Sequence, residues 1–457
     1  MDSSYKIAVV GLWHLGEIYS AGLAELGHAV VGIDADSAVV ENFSRDIPPL
    51  AEPKLAELLV ANRAAGRLQY STDFSTVKDR DVVWITLDTP VNDADEVDVE
   101  PVLSAIKKVT SDLRDGVLLV VSSQIPVGTS AKIVASIKEA RPALNFEYVY
   151  SPENLRLGIA VDSFMQPGRI VAGVGSEKAL VIFKNIFMNT ANAQMSGVEI
   201  VSMSPASAEM TKHALNAWLA TSISFINDIA DLCERYGADV EAVARALKSD
   251  PRVGPKAYLF AGLGFSGGTL GRDLKAMMNA ASMMTSGTPG AGALKLPVIE
   301  SVFAKNKSRN AIVKSRLGKE LGEVKGETFA MFGVTYKAGT STLRRSQPLE
   351  IEKALREAGA QFRLYDPWAK AEEVAAVTPS SFFNDPYVAA QGADAILVMT
   401  PWKDFGSLDF KKLRVAMAVG GTVSASSAIL FDTCNILCDK EETIKEAGFK
   451  YLSIGRI

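Results

Sequence analysis

The stretch KIAVVGLWHLG, residues 6–16, decides the fold of this 457-residue chain. An apolar run ends at Gly11, and Gly16 follows at the start of an apolar helical pattern. A second apolar run then ends at Asp34. Strand, glycine turn, helix, strand and acid in this order predict the first unit of a Rossmann-type sheet with a dinucleotide at the turn.

The residue types at this turn suit a dinucleotide. Gly11 permits a tight turn, Gly16 permits close packing of the helix, and the helix N-terminus offers N–H groups to a pyrophosphate. The Asp34 carboxylate would bind the adenosine ribose diol and repel a 2′-phosphate, so we expect NAD rather than NADP. Trp13 stands where the usual pattern has its middle glycine. The residues expected to bind NAD here are Gly11, Trp13, His14, Leu15, Gly16 and Asp34.

The hydrophobic pattern divides the chain into three parts. Short apolar runs alternate with amphipathic segments to about residue 200, a helical pattern runs from about Ser207 to Gly237, and a second α/β pattern follows. We expect an α/β protein with two Rossmann-like domains of parallel strands, residues 1–204 and 321–457, joined by a helical core, residues 205–320. The predicted strands are 6–10, 29–34, 81–87, 117–122, 147–150, 327–332, 361–365, 395–399 and 429–432.

Composition narrows the class of protein. Net charge is −5, so nothing favours nucleic acid, and no apolar run is long enough to span a membrane. The chain has three cysteines and three histidines, which indicates a reducing compartment and no recognisable metal site. Because the N-terminus lacks a signal-peptide pattern, we expect a cytoplasmic protein. Cys233, in a predicted helix, and Cys434, after a core strand, are expected to be buried rather than nucleophilic.

Seven further motifs along the chain together match the pattern of one protein family. They are TP at 89–90, SSQIPVGT at 122–129, SPENLRLG at 151–158, EMTKHALN at 209–216, DPRVG at 250–254, GFSGGTLGRD at 264–273 and GVTYKAGT at 333–340. Together they resemble the UDP-glucose/GDP-mannose dehydrogenase family over nearly the whole chain. The resemblance implies an NAD-dependent oxidoreductase acting on a nucleotide sugar, most simply a UDP-sugar, in a cleft between two domains.

The resemblance also implies the catalytic residues. Lys212 and Asn216 lie four residues apart on one face of a helix, where an ammonium and an amide could stabilise a developing oxyanion. Glu153 and Asp273 match catalytic acids of the family. Thr269 stands where the family has its nucleophilic cysteine, and a threonine hydroxyl is a poor nucleophile without a strong adjacent base. Gln124 and Leu157 also depart from the family pattern.

Binding roles follow from the same motifs. Thr89, Pro90 and Arg344 are expected at NAD. The sugar nucleotide is expected at Asn154, Leu155, Arg156, Arg252, Tyr258, Gly264, Gly267 and Lys337. Arg252 would reach the neighbouring subunit's substrate in a homodimer, with the long helix at the two-fold interface.

Three functions remain open from the sequence. The chain could be a four-electron 6-dehydrogenase that forms a uronic acid. It could instead be a two-electron enzyme that stops at a carbonyl, or that oxidises transiently during an epimerisation. It could also be a sugar-nucleotide-binding protein without turnover. The residues identify neither the sugar, nor the base, nor the carbon that is oxidised.

Overall fold

The computed structural model describes residues 4–48, 52–90, 97–153, 155, 158–188, 195, 197–283, 294–419 and 428–456. The chain divides into two compact units, Met1–Ala214 and Leu215–Ile457. Each unit contains one sheet, as the two α/β patterns predict. The finer division at residues 204 and 320 stays a prediction.

The first unit is built on an eight-stranded sheet. Its strands are β1 (Lys6–Val10), β2 (Ala29–Ile33), β3 (Leu68–Ser71), β4 (Val82–Ile85), β5 (Val117–Val121), β6 (Phe146–Tyr150), β7 (Ile170–Val174) and β8 (Ile200–Met203). They lie in the order β3-β2-β1-β4-β5-β6-β7-β8, and of these neighbours only β6 and β7 pair antiparallel. In this strand order the ligand crevice opens where the order reverses, at the carboxyl ends of β1 and β4.

Helices cover this sheet. They are α1 (His14–Glu25), α2 (Ser37–Ser44), α3 (Leu55–Ala64), α4 (Glu100–Thr110), α5 (Thr129–Ala140), α6 (Ala160–Met165) and α7 (Glu177–Met188), with a 3-10 turn at Phe74–Asp79. The helix α8 (Pro205–Tyr236) follows and contains the boundary between the units.

Aromatic rings fill the core beneath α1. Trp84 on β4 is fully buried, its ring lies 5.1 Å from that of Tyr19, and its indole N–H donates to the Ser122 hydroxyl at 2.9 Å. Burying one large apolar side chain contributes about 1.5–3 kcal/mol. Gly22 lets α1 approach this core, since a Cβ there would lie 2.2 Å from the Phe164 ring.

The second unit has a helical part and a six-stranded sheet. Its helices are α9 (Val240–Ser249), α10 (Arg272–Met283), α11 (Pro297–Leu321), α12 (Gln347–Glu357), α13 (Ala371–Ala375), α14 (Pro386–Ala389), α15 (Phe410–Met417) and α16 (Glu441–Glu446). Its strands are β9 (Thr328–Phe332), β10 (Gln361–Tyr365), β11 (Ser381–Phe383), β12 (Ala395–Val398), β13 (Ile429–Asp432) and β14 (Lys450–Ser453). A π-helical turn at Gly267–Gly271 precedes α10, and 3-10 turns lie at Lys403–Ser407 and Cys438–Lys440.

The two sheets share one topology. The second has the order β11-β10-β9-β12-β13-β14 with parallel neighbours, which repeats the order of the first six strands of the first sheet. The sequence therefore predicts two Rossmann-like sheets correctly.

The predicted elements agree with the structure to within a residue or two at most of their ends. The long predicted helix is α8, and Gly237, with φ of 71°, follows its last residue as a glycine stop does. The strands β3, β7, β8, β11 and β14 escaped prediction, since short strands such as β3 (LQYS) and β14 (KYLS) lack a continuous apolar run. A membrane-spanning helix needs about 20 predominantly apolar residues, and none of the helices in the described part of the chain meets this requirement.

Candidate active site

The turn after β1 requires glycine at both of its ends. Gly11 has φ of 97°, and its N–H donates to the Ile33 carbonyl at 2.8 Å. A Cβ at Gly11 would lie 2.7 Å from the Leu87 side chain, and one at Gly16 would lie 1.7 Å from the Gly11 carbonyl oxygen. The helix α1 therefore begins directly against the end of β1, as the motif predicts.

Trp13 is compatible with this turn although it replaces a glycine. Its backbone is extended, with φ of −88° and ψ of −165°, so a side chain is tolerated. The ring is 45% exposed, and the side chain makes no cap to the first turn of α1. The N–H groups of that turn have no intrahelical acceptors and can bind an anion.

Asp34 holds its carboxylate beside this turn. One carboxylate oxygen accepts from Leu12 N–H at 2.8 Å and the other from Asp36 N–H at 3.0 Å. Each oxygen has a further lone pair, and the side chain is half-buried rather than enclosed. A ribose diol can therefore donate to it, and the residues of this edge fit an adenine dinucleotide.

The second sheet repeats this turn, but the acid beside it is already hydrogen-bonded within the protein. Gly333 has φ of 92°, and its N–H donates to the Tyr365 carbonyl at 2.7 Å, as Gly11 does to Ile33. Asp366 follows β10 as Asp34 follows β2. Its donors, at 2.9–3.2 Å, are the N–H groups of Val334, Thr335, Trp368 and Ala369, the Thr335 hydroxyl and the Trp402 indole. Six donors exceed the roughly four lone pairs of a carboxylate, so this buried acid cannot also accept a ribose diol.

Lys212 and Glu153 meet in the first unit. The Lys212 ammonium donates to the Glu153 carbonyl oxygen at 2.7 Å and lies 3.3 Å from its carboxylate. Lys212 is buried on α8, so this pair is largely removed from solvent. An ammonium has three donors, and the third has no partner among the described residues.

A carboxylate on α8 that the sequence motifs assign no role fixes the helix. Glu209 is fully buried and accepts from the N–H groups of Gly128 at 2.6 Å and Ser130 at 2.7 Å, where α5 begins. A carboxylate at a helix N-terminus is stabilised by the helix dipole. His213, next to Lys212, is buried with its Nε2 3.3 Å from the Ile125 carbonyl oxygen, so it packs inside the first unit.

Asn216 and Asp273 meet in the second unit. Both are buried, and the Asn216 side-chain N–H donates to the Asp273 carboxylate. Asp273 lies in the first turn of α10, where a negative charge is favoured.

Thr269 lies in the π-helical turn that leads into α10 and is half-buried. The glycine-rich loop before it is held through its backbone. Asn227 accepts from Gly262 N–H at 2.9 Å, and the Arg309 guanidinium donates to the Gly262 carbonyl at 2.8 and 3.1 Å.

The same loop is held at two further residues. The Asn306 amide makes 2.8 Å bonds to both N–H and carbonyl of Phe265, and Gln347 donates to the Leu263 carbonyl at 2.6 Å. Gly264 has φ of 101°, and a Cβ there would lie 2.2 Å from the Asn306 side-chain oxygen. Sequence reasoning missed these clamps because they come from distant helices.

The other residues predicted to bind NAD or the sugar nucleotide differ in their exposure to solvent. Arg252 is exposed and pairs with Asp250 at 2.7 Å, and Tyr258 is part-exposed against Phe260. Lys337, Arg344 and Pro90 are exposed. The Thr89 hydroxyl donates to the Gln124 carbonyl at 2.9 Å, and Leu155 N–H to the Glu153 carboxylate at 2.7 Å. Asn154 and Arg156 lie outside the described residues.

The chain's cysteines offer no alternative nucleophile. Burial raises the pKa of the thiols of Cys233, Cys434 and Cys438 above the usual range. A raised pKa keeps a thiol protonated, whereas the thiolate is the nucleophile.

Comparison with known proteins assigns the family. Models of the UDP-glucose/GDP-mannose dehydrogenase family match its NAD binding domain at residues 5–191, its central domain at 206–295 and its UDP binding domain at 330–439. The chain belongs to this family and is an NAD-dependent oxidoreductase of nucleotide sugars.

Known relatives match this chain over nearly its whole length. The chain is 33% identical over 460 residues to a UDP-glucose 6-dehydrogenase of Rhizobium meliloti, covering 99% of each protein. It is 33% identical to the UDP-glucose 6-dehydrogenase TuaD of Bacillus subtilis, covering 99% of this chain and 93% of that protein. A solved UDP-glucose dehydrogenase from Pyrobaculum islandicum matches with a TM-score of 0.85 and 27% identity, covering 100% of this chain and 99% of that one.

The Asp34 carboxylate should determine the choice of cofactor. We expect the protein to bind NAD more tightly than NADP. Asp34→Ala should weaken NAD by at least about tenfold and abolish the preference, since a hydrogen bond to a charged group contributes about 1.5–3 kcal/mol. Titration calorimetry with both cofactors measures this.

The matched control is Asp36→Ala, which removes an exposed acid two residues away that caps α2 through Ala38 N–H. It should leave the ratio of the NAD and NADP dissociation constants unchanged. Tighter binding of NADP by the unmodified protein would contradict the role of Asp34.

The six donors already bonded to Asp366 limit the number of dinucleotide sites in the chain. We expect one NAD per chain, because only the first of the two similar sheet edges has an acid that can accept a ribose diol. Titration calorimetry at known chain concentration gives the ratio, and two equivalent NAD per chain would contradict it.

Proposed function

We propose that the chain oxidises the C6 hydroxyl of a UDP-sugar with NAD, and that UDP-glucose is its first candidate substrate. The names of the two relatives at 33% identity support this substrate. The observation that carries the chemistry is the buried Lys212, with one N–H donor left over beside Glu153.

The proposed role of Lys212 is to bind the sugar oxygen. Oxidising a primary alcohol to an aldehyde releases one proton from oxygen and one hydride from carbon, and NAD, when bound, would supply the hydride acceptor. As the proton leaves to water, negative charge grows on the oxygen, and a preorganised ammonium stabilises it. The two bonds to Glu153 fix the ammonium, so little reorientation is needed during the reaction.

Asn216 and Asp273 have a supporting role in the proposal. The Asn216 amide donates to the Asp273 carboxylate, which fixes the amide plane and leaves its oxygen as an acceptor. Such a pair can hold a water or the sugar hydroxyl in one orientation. Both residues are buried, which strengthens these electrostatic interactions.

The diphosphate needs positive charge, and the loop after β9 can supply it. Residues 334–346 include Lys337, Arg344 and Arg345 and no acidic residue. Lys337 is proposed to bind the sugar nucleotide and Arg344 the NAD phosphates. Arg252 is proposed as a phosphate clamp, since a guanidinium binds phosphate with two hydrogen bonds. Thr89 and Pro90 at NAD, and Asn154, Leu155, Arg156, Tyr258, Gly264 and Gly267 at the substrate, stay part of the proposal.

Thr269 favours a second candidate, in which oxidation stops at the aldehyde. A covalent second oxidation uses a thiolate, and each of the three cysteines has a thiol pKa raised by burial. The relatives favour the complete 6-dehydrogenase reaction instead. The two candidates share the first hydride transfer and differ in the number of NADH formed per sugar.

A substrate screen tests the proposal. UDP-glucose, UDP-N-acetylmannosamine and GDP-mannose are each incubated with NAD, NADH is followed by absorbance, and the product is weighed by mass spectrometry. We expect NADH with a UDP-sugar and a product shifted in mass at the sugar. No NADH with any of the three would contradict the function.

Variants separate the roles of Lys212 and Thr269. Lys212→Met should lower kcat roughly a hundredfold or more, as removal of one oxyanion donor does. Thr269→Ala should cost at most about fivefold, equivalent to one hydrogen bond of about 1 kcal/mol. Single-turnover rates under saturating NAD measure both.

The same single-turnover assay counts NADH. One NADH per sugar and an aldehyde product support the second candidate, and Thr269→Cys should then allow a second NADH. Two NADH and a carboxylate from the unmodified protein would refute it and leave the complete dehydrogenase. Equal losses in Lys212→Met and Thr269→Ala would contradict the role of Lys212.

We further propose that the protein is a homodimer. Trp218, Phe225, Leu232 and Tyr236 lie on one face of α8, and all four are exposed in the single chain, Trp218 by 68% and Tyr236 by 80%. An apolar face of this length is typical of a protein interface. A second copy of α8 would cover it symmetrically.

Trp218→Asp should convert the dimer to a monomer, because a charge at a buried contact is strongly unfavourable. Light scattering after gel filtration at micromolar concentration measures the mass. The matched control is Val415→Asp on α15, at a site of similar exposure, 67%, which should leave the mass unchanged. A monomeric unmodified protein would contradict the proposal.

A further inference from the structure

The Glu52 carboxylate is buried inside the first unit and contacts two separate parts of the chain. Its side chain is 1% exposed. It accepts from the His14 ring at 2.9 Å, from Gly158 N–H at 2.9 and 3.1 Å, and from Ala160 N–H at 3.2 Å. A buried carboxylate is tolerated only when it is hydrogen-bonded in this way.

One of these partners, His14, is among the residues expected to bind NAD. His14 is the first residue of α1, directly after Trp13, so its ring lies at the helix end expected to face the NAD pyrophosphate. The bond to Glu52 fixes the ring, since the carboxylate accepts only from a protonated imidazole nitrogen.

The other partners are the N–H groups of Gly158 and Ala160, which donate to Glu52. In the same unit, the Lys212 ammonium donates to the Glu153 carbonyl oxygen. A neighbouring contact, Lys54 to Asp162 at 2.6 Å, ties the same stretch before α3 to α6. Glu52 therefore contacts both the start of α1 and Gly158, the last residue of the SPENLRLG motif, in which sugar-nucleotide contacts are predicted.

We propose that Glu52 is a positioning residue that couples NAD binding at the start of α1 to the hydrogen-bonded positions of Gly158 and Ala160. Because one carboxylate accepts from both sides, NAD bound at the start of α1 stabilises the conformation in which the N–H groups of Gly158 and Ala160 are bonded. The part of the inference that concerns the sugar rests on the proposed function; the part that concerns NAD and the two N–H groups does not.

The test uses Glu52→Ala and Glu52→Gln in the full chain, with Glu57→Ala as control. Glu57 is an exposed acid in the first turn of α3, close in sequence to Glu52. Two measurements need no sugar: NAD affinity by calorimetry, and hydrogen–deuterium exchange of peptides containing Gly158 and Ala160, with and without NAD. The third is the split between kcat and KM for UDP-glucose.

Glu52→Ala should weaken NAD about tenfold, in keeping with loss of a charge-assisted hydrogen bond. Exchange at Gly158 and Ala160 should become faster, and NAD should no longer slow it. KM for UDP-glucose should rise more than kcat falls. Glu52→Gln should recover part of each effect because its amide oxygen can still accept, and Glu57→Ala should match the unmodified protein.

A double-mutant cycle guards against a variant that does not fold. The effects of His14→Ala and Glu52→Ala on NAD affinity should be non-additive, because each variant removes the one hydrogen bond that the two side chains share. Additive effects would overturn the proposal. So would a Glu52→Ala variant in which NAD slows exchange at Gly158 and Ala160 as much as it does in the unmodified protein. A protein that binds NAD but oxidises no sugar would contradict the proposed function and leave these outcomes decisive for Glu52.

Discussion

The first unit depends on one close approach, that of α1 to the end of β1. A Cβ at Gly16 would lie 1.7 Å from the Gly11 carbonyl oxygen, so any larger residue would force the helix away from the strand. The approach aims the first turn of α1 at the crevice between β1 and β4. Trp13 fits because its backbone is extended, which makes the missing glycine of the motif compatible with NAD binding.

The chain uses this turn twice with different outcomes. Gly333 repeats the geometry of Gly11, and Asp366 repeats the position of Asp34. In the first sheet the acid keeps acceptor capacity for a ligand. In the second its donors come from the protein itself, including the Trp402 indole. One topology therefore supports a dinucleotide site in one sheet, while the matching edge of the other is closed to the same contact.

Local sequence signals predicted the fold well, because turns, strands and helix ends are encoded by neighbouring residues. The sequence located β1, α8 and the acid Asp34, and the motifs identified the family. It could not locate Glu52, Glu209 or Arg309 as anchors, since each bonds backbone groups far away along the chain. Glu52 is 106 residues from Gly158, and Arg309 is 47 from Gly262. Single charged residues of this kind look like ordinary surface acids and bases until the fold brings their partners to them.

Following the hydride itself tests this mechanism most directly. UDP-glucose with both hydrogens at carbon six replaced by deuterium is incubated with the protein and NAD, and the mass of the nicotinamide product is measured by mass spectrometry. We expect one deuterium to move from the sugar to the nicotinamide in the first oxidation, and Lys212→Met to slow this transfer without abolishing NAD binding. Reduced cofactor that is absent, or that carries no deuterium, would contradict this mechanism.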